Sequence, residues 1–308
     1  MKIAIVGTGA MGSVYAALFA AAGHEVWAID QWQAHVDAMA SNGLQLDGAS
    51  GERCVSVHAT SNPADCGECD VVIIATKAMH VSDAAKSAAP LLGPDTPVLS
   101  IQNGIGGPDA AAAVLGEDRV VVGVVGGFGA SMVGPGHAHH NGMELVRLGE
   151  RSGPVSARLK QLAALWEGAS FTVRCFDDID QLVWEKLLCN CCYSGTATIT
   201  GLTIGGIMSD ADAWAVASGC AAEVFNVAQA KGITLDVDDP VAYARAFGEK
   251  IPGAKPSMLL DIEALRACEI GAINGAIPEM ALAAGIEAPI NDLVSKLVRA
   301  RMVALGID

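Results

Sequence analysis

The stretch MKIAIVGTGAMGSVYAALFAAAGHEVWAID, residues 1–30, decides the fold of this chain. Lys2–Val6 is a short apolar run rich in β-branched residues, and it leads directly into the glycine turn GTGAMG at residues 7–12. An alanine-rich helical stretch follows, and then a second strand-like run, Glu25–Ile29, which ends at Asp30. The order strand, glycine turn, helix, strand and acid is typical of a dinucleotide-binding fold.

Each glycine of this turn has its own expected task. Gly7 allows the tight turn, Gly9 lets the backbone approach a pyrophosphate, and Gly12 lets the helix pack closely on the strand. The helix N-terminus offers N–H groups and a positive dipole end to the phosphates. We therefore predict a dinucleotide site here, with an ordinary glycine turn of an α/β domain as the alternative.

Composition narrows the class of protein. The 308 residues are 52% hydrophobic and 17% charged, which is enough apolar material for two domains or one large domain. Every strongly apolar window is interrupted well before the roughly 20 residues that a bilayer requires, so we expect no membrane association. The chain enters a strand without the basic lead of a signal peptide, and a cytoplasmic location is the default expectation.

Charge and cysteine content exclude further classes of partner. The net charge of −15 argues against nucleic acid and anionic membranes, so a small anionic substrate would depend on locally placed cations and amides. Nine cysteines are an odd set, typical of reduced thiols. Cys66 and Cys69 have CxxC spacing but no second pair at zinc-finger distance, and we expect no metal site.

Strand and helix patterns alternate in the first half of the chain. Residues 70–75 and 97–101 are continuous apolar runs of the kind found in parallel strands buried on both faces. We predict an α/β fold, with an N-terminal doubly wound Rossmann-type sheet over residues 1–175 and an all-helical C-terminal domain over residues 176–308. Lys77 and Asn103 follow two of the strands, at the carboxyl edge where such sheets bind ligands.

The second half contains two polar clusters in apolar surroundings. Lys186, Asn190 and Ser194 lie at i, i+4 and i+8 of a helix predicted over residues 178–194, so they share one stripe. Burial lowers the pKa of a lysine and suits it to proton transfer, whereas a surface lysine is an equally good interpretation. Ser257 and Glu269 fall in a helix predicted over residues 256–284, where a solvated glutamate is the simpler interpretation.

Taken together, these motifs carry a family resemblance over essentially the whole chain. The chain resembles the ketopantoate reductases (2-dehydropantoate 2-reductases). The matching motifs, in chain order, are the glycine turn with Ala10-Met11, Thr76-Lys77-Ala78 with Val81-Ser82-Asp83-Ala84, Gln102-Asn103-Gly104-Ile105-Gly106, Trp184-Glu185-Lys186-Leu187 with Asn190, Ser257-Met258 with Asp261, Arg266 and Glu269, and Asn274-Gly275.

The resemblance implies an oxidoreductase that reduces a 2-oxo acid to a 2-hydroxy acid, most directly ketopantoate to pantoate in pantothenate biosynthesis. Lys186 would donate the proton as general acid, and Glu269 would hold the substrate hydroxyl and steady Lys186. Asn190, Ser194 and Ser257 would orient the substrate. The cofactor-binding residues would be Gly7, Thr8, Gly9, Ala10, Met11, Gly12, Asp30, Lys77 and Asn103.

Two positions depart from the family pattern. Ser194 stands where the family usually has a second asparagine, and a hydroxyl is shorter and forms fewer hydrogen bonds. Asp30 and Gln31 stand where NADPH-dependent members often have an arginine for the 2′-phosphate. A carboxylate accepts hydrogen bonds from ribose hydroxyls and repels a phosphate, so we predict NAD in preference to NADP.

Alternatives remain open at this stage. The same chemistry could act on another branched or aromatic 2-oxo acid. The fold could also serve as a non-catalytic NAD(P) sensor, or the glycine turn could belong to a flavin enzyme. The apolar helical domain favours a homodimer, since large apolar faces tend to be covered.

Overall fold

The structure, a computed structural model, describes residues 1–127, 129–142 and 145–307. Contacts between Cα atoms divide the chain into one unit of Met1–Gln102 and Gly106–Ile179 and a second unit of Asn103–Ile105 and Asp180–Asp308. The first unit contains the strands and the second unit is helical, which confirms the predicted fold class. The division of the chain into a dinucleotide-binding domain of residues 1–175 and a substrate-binding, catalytic domain of residues 176–308 remains a prediction.

Twelve strands are found in the described part of the first unit. They are β1 Lys2–Val6, β2 Glu25–Ile29, β3 Leu44–Gly48, β4 Arg53–Val55, β5 His58–Thr60, β6 Val71–Ile74, β7 Val98–Ser100, β8 Val120–Gly126, β9 Gly129–Gly134, β10 His137–Gly142, β11 Leu145–Glu150 and β12 Val173–Cys175. The helices of this unit are α1 Ala10–Ala21, α2 Gln33–Asn42, α3 Val81–Ser87, α4 Gly107–Leu115 and α5 Ala157–Gly168.

The main sheet has the strand order β12-β11-β8-β7-β6-β1-β2-β5. Its central pairs are parallel, and the sheet changes direction only between β8 and β11. Because β1 pairs with β2 on one side and with β6 on the other, the strand order reverses at β1. The carboxyl ends of β1 and β6 therefore form the topological switch point, where open α/β sheets bind their ligands.

Burial explains why β1 is apolar from Ile3 to Val6. Ile3 and Ile5 belong to one buried cluster, while Ala4 and Val6 belong to another. Successive side chains of a strand point to opposite faces, so both faces of the sheet are covered. The separate four-stranded sheet β4-β3-β10-β9, in which β3 and β4 are antiparallel, was not predicted from the sequence.

The second unit packs its helices around one buried apolar cluster. The helices are α6 Ile179–Thr200, α7 Ile204–Ser209, α8 Ala211–Ala230, α9 Pro240–Lys250, α10 Ser257–Glu263, α11 Ile277–Ala283 and α12 Pro289–Ala304. Among the residues described, no helix has the combination of length and apolar character that a membrane span needs.

The single helix predicted over residues 256–284 is wrong. The helix that begins at Ser257 ends at Glu263, and Leu265 adopts a left-handed backbone with φ of 54°. The N–H of Arg266 donates to the carbonyl of Asp261 at 2.8 Å, which closes the end of the helix. Glu269 consequently lies in an irregular segment between α10 and α11, although apolar periodicity continues through it.

Candidate active site

The glycine turn lies at the switch point, between β1 and α1. A Cβ on Gly7, which has φ of 91°, would lie 2.6 Å from the Thr76 side chain. A Cβ on Gly12 would lie 2.1 Å from the carbonyl oxygen of Gly7. A Cβ on Gly9 would meet nothing within 4 Å. Close packing therefore requires glycine at positions 7 and 12, whereas at Gly9 the space outside the backbone is open to a ligand.

Two buried hydroxyl groups beside the turn favour a polar ligand there. Within the described residues, Oγ1 of Thr8 and Oγ1 of Thr76 are buried and have no hydrogen-bond partner. A buried polar group left unsatisfied costs about 1–3 kcal/mol. Gly9 supplies no side-chain cap to α1, so the first N–H groups of this helix also need an acceptor. A dinucleotide pyrophosphate with its ribose hydroxyls fits this set of groups.

The carboxyl end of β2 holds an oriented carboxylate. Oδ1 of Asp30 accepts the backbone N–H of Trp32 at 2.9 Å, and the Gln31 amide donates to the carbonyl of Ser61 at 3.1 Å. Lys77 is half-buried just beyond β6, the strand on the other side of β1. Residues 30 and 77 thus follow the two strands that flank β1.

A second cluster, the lysine cluster of Asn103, Lys186 and Glu269, lies within the helical unit. Nζ of Lys186 donates to Oδ1 of Asn103 at 2.8 Å. Nδ2 of Asn103 faces Oε2 of Glu269 at 3.5 Å, at the long limit of a hydrogen bond. The amide thus accepts from the ammonium group and presents its own N–H groups to the carboxylate.

Backbone contact fixes Asn103 in this position. The N–H of Ile105 donates to the carbonyl of Ala272 at 3.0 Å. Between them, Gly104 has φ of 80°, and a Cβ there would lie 2.3 Å from the same carbonyl oxygen. Only glycine permits this approach, so Gly104 joins the Asn103 segment to the segment that carries Glu269.

A buried amide joins the Glu269 segment to the helix of Lys186. Nδ2 of Asn274 donates to the carbonyl of Cys191 in α6 at 2.9 Å and to Oδ1 of Asn291 at 2.9 Å. Asn291 in turn donates to Glu223 at 2.7 Å. This network fixes the irregular segment against α6.

The other predicted substrate-binding residues have different surroundings. Asn190 is half-buried and Ser194 buried, one and two turns beyond Lys186 on α6. Ser257 is exposed as the first residue of α10. The structure therefore brings together Asn103, Lys186 and Glu269 directly. It places Asn190 and Ser194 on the helix that carries Lys186, and Ser257 on α10, which precedes the Glu269 segment.

Sequence reasoning assigned Asn103 to the cofactor because it follows β7. It missed the bond from Lys186 to Asn103, which joins residues 83 positions apart. The available signal was Gly104, since a glycine beside a polar residue indicates close backbone approach. Among the described residues, no group of three or more His, Cys, Asp and Glu side chains is placed to hold a metal ion.

Comparison with known proteins identifies the family. Residues 3–153 match the family model of ketopantoate reductase PanE/ApbA, and residues 178–302 match that of its C-terminal domain. A 2-dehydropantoate 2-reductase of Mesorhizobium japonicum is 34% identical, with 99% of each chain covered.

Solved structures with similar folds include two kinds of enzyme. A PanE/ApbA family ketopantoate reductase from Ralstonia eutropha JMP134 is 32% identical, covers 99% of this chain and 100% of its own, and has a TM-score of 0.92. A D-mandelate dehydrogenase in ternary complex with NADH and anilino(oxo)acetate is 28% identical over 100% of both chains, with a TM-score of 0.93. The chain therefore belongs to the ketopantoate reductase family and is an NAD(P)-dependent oxidoreductase that acts on a CH–OH group.

Proposed function

We propose that this protein reduces a 2-oxo acid to the 2-hydroxy acid, with 2-dehydropantoate as the first substrate to consider. The observation that supports this proposal most directly is the bond from Lys186 to Asn103, with Glu269 beyond it. An ammonium group can serve as general acid in such a reduction. Curated relatives that match the whole chain carry the name 2-dehydropantoate 2-reductase.

In the proposed reaction, the carbonyl π bond of the oxo acid breaks as its carbon takes a hydride and its oxygen takes a proton. The hydride is the contribution of the reduced nicotinamide cofactor when bound. Lys186 supplies the proton from Nζ and stabilises the charge that develops on the oxygen. Asn103 holds the ammonium group at 2.8 Å, and Glu269 accepts a hydrogen bond from the new hydroxyl.

The substrate carboxylate needs its own partners in a chain of net charge −15. We assign it to the side chains of Asn190, Ser194 and Ser257, which can donate hydrogen bonds. Asn190 and Ser194 share the Lys186 stripe of α6, at spacings that place side chains on one face of a helix. The region of residues 176–308 would thus hold the substrate.

The region of residues 1–175 would hold the cofactor, and NAD is our proposal in preference to NADP. The turn at residues 7–12 would bind the pyrophosphate, Lys77 would contact the nicotinamide side, and Asp30 would accept hydrogen bonds from the ribose hydroxyls. The orientation of Asp30 by Trp32 and the absence of a cation from positions 30 and 31 support NAD. The D-mandelate dehydrogenase with a similar fold was solved with NADH.

An aromatic 2-oxo acid is the second candidate substrate. The D-mandelate dehydrogenase complex contains anilino(oxo)acetate, a 2-oxo acid derivative with an aromatic ring. Ser194 also favours this candidate, because a serine leaves more room than the asparagine usual in the family and forms fewer hydrogen bonds.

Steady-state kinetics with a panel of 2-oxo acids would test the proposal. Each acid, from 2-dehydropantoate to phenylglyoxylate, is tested with NADH and with NADPH, and kcat/KM is compared. The proposal expects turnover of at least one 2-oxo acid, with NADH preferred. A strong NADPH preference would contradict the role of Asp30, and cofactor binding without any turnover would favour the sensor.

We also propose a homodimer in the cytoplasm. Leu282, Leu293 and Leu297 of α11 and α12 are exposed apolar side chains, and apolar surface of this kind is often covered by a second copy. Sedimentation equilibrium would test the stoichiometry, and a monomer at micromolar concentration would contradict it.

A further inference from the structure

His35 is a buried residue near the glycine turn that the proposed reaction does not use. It lies in α2 and has no exposed surface. Its Nε2 lies 2.9 Å from the carbonyl oxygen of Thr8, and its Nδ1 accepts the backbone N–H of Gly136 at 2.7 Å. This side chain therefore joins the glycine turn to the turn between β9 and β10.

The two contacts define the tautomer of His35. A backbone N–H can only donate, so Nδ1 must be the unprotonated acceptor. Nε2 then carries the hydrogen and donates it to Thr8. Burial lowers the pKa of His35, although the bond to Thr8 and the charge of Asp30 act in the opposite direction. The neutral ring is thus the form that the structure stabilises.

The carbonyl of Thr8 matters because it shares a peptide unit with the N–H of Gly9. That unit is planar and trans, so its C=O and N–H point in opposite directions. Two donors, Nε2 of His35 and Oγ of Ser13 at 2.8 Å, direct the carbonyl toward the protein interior. The N–H of Gly9 consequently points away from them, on a residue whose Cβ position is open.

We propose that His35 is a positioning residue, which orients the Thr8–Gly9 peptide so that the N–H of Gly9 binds the cofactor pyrophosphate. This inference rests on the proposed function only in assigning the pyrophosphate to the glycine turn. Because His35 has no exposed surface, it would act through this peptide unit and not through direct contact with the cofactor. Its ring stacks on Trp32 at 5.3 Å between centroids, which restricts its rotation.

Amide variants separate the two contacts of His35. In His35→Gln, the amide reaches the position of Nε2 and keeps the donor to Thr8. In His35→Asn, the shorter amide keeps only the acceptor for Gly136. His140→Gln is the control, because His140 is also a buried histidine of the first unit, and its Nδ1 lies 3.0 Å from Oγ of Ser50 in the turn between β3 and β4.

The measurement is the Kd for NADH, from energy transfer between tryptophan and nicotinamide, together with KM and kcat. We expect His35→Asn to raise the Kd and KM for NADH about tenfold, as the loss of one hydrogen bond would, and His35→Ala, which loses both contacts, to raise them at least as much. The KM for the oxo acid and kcat should change little. His35→Gln and His140→Gln should bind NADH like the wild type.

The pH dependence of wild-type binding provides a second measurement, which requires no variant to fold. Protonation would set the N–H of Nδ1 against the N–H of Gly136 and displace the ring from Thr8, so the Kd for NADH should rise at acid pH and stay flatter in His35→Gln. The inference is overturned if His35→Asn binds NADH as tightly as His35→Gln, or if the wild-type Kd is independent of pH. A wild type that binds no nicotinamide nucleotide would refute the proposed function itself.

Discussion

The glycine turn and the lysine cluster represent two ways of building a site. The turn consists of consecutive residues, and its geometry follows from glycines that meet Thr76 and the carbonyl of Gly7. In the lysine cluster, Asn103 contacts Lys186, which lies 83 positions away in the chain, and Glu269, which lies 166 positions away. The comparison shows that a site made of backbone groups can be encoded locally, whereas a site made of side-chain atoms depends on the packing of distant segments.

The two sites should therefore respond differently to substitution. The turn presents N–H groups, so changes there should act through shape, on stability and cofactor affinity. The lysine cluster presents Nζ and amide atoms, so changes there should act on turnover.

The largest effect is expected for Lys186→Ala. This variant removes the proposed proton donor, and kcat should fall by about 10²-fold or more while the Kd for NADH stays unchanged. Steady-state kinetics would measure kcat, and stopped-flow binding would measure the Kd for NADH. Lys231→Ala, which alters an exposed lysine of the same unit, is the control and should retain full activity. Normal turnover in Lys186→Ala would show that Lys186 is not the proton donor.

The next effect concerns the glycines of the turn. In Gly12→Ala the new Cβ would lie 2.1 Å from the Gly7 carbonyl, and overpacking of this kind costs about 1–3 kcal/mol. In Gly9→Ala the Cβ meets no protein atom within 4 Å, so urea unfolding should be unchanged while the Kd for NADH rises. Equal destabilisation by both substitutions would contradict the division between packing and binding glycines.

A third substitution tests whether Asn103 acts with Lys186 in turnover or binds the cofactor. Asn103→Leu keeps the approximate volume but removes the acceptor for Nζ of Lys186, and kcat should fall about tenfold, as expected for one lost hydrogen bond. The Kd for NADH is the second measurement. A raised Kd with normal kcat would return Asn103 to the cofactor role that its place after β7 first indicated.

The smallest effect is the pH dependence of stability that His35 contributes. Its pKa is lowered in the folded protein by burial, so below about pH 6.5 the unfolded chain binds more protons than the folded one. The stabilisation is complete above that pH and is lost as the pH falls toward the folded-state pKa. Urea unfolding at neutral and mildly acid pH should show a smaller decrease for His35→Gln than for wild type.

Prediction from the sequence succeeded where the informative residues are consecutive in the chain. It predicted the Rossmann-type sheet followed by helices, and the family, and both are confirmed. It failed at residues 256–284, where a continuous apolar pattern suggested one helix. The interruption at Leu265 depends on a left-handed backbone and on the backbone hydrogen bond from Arg266 to Asp261. Neither feature can be predicted from the spacing of apolar residues.

The sequence alone determined the glycine turn, the apolar strands around it and the Lys186 stripe of α6, because each follows from residues that are neighbours in the chain. Only the tertiary structure decided that Asn103 accepts from Lys186 and that Gly104 lies against Ala272. It also decided that His35 holds the carbonyl of Thr8. The physical reason is that such contacts depend on the packing of separate segments, and no local propensity specifies which distant atoms will meet.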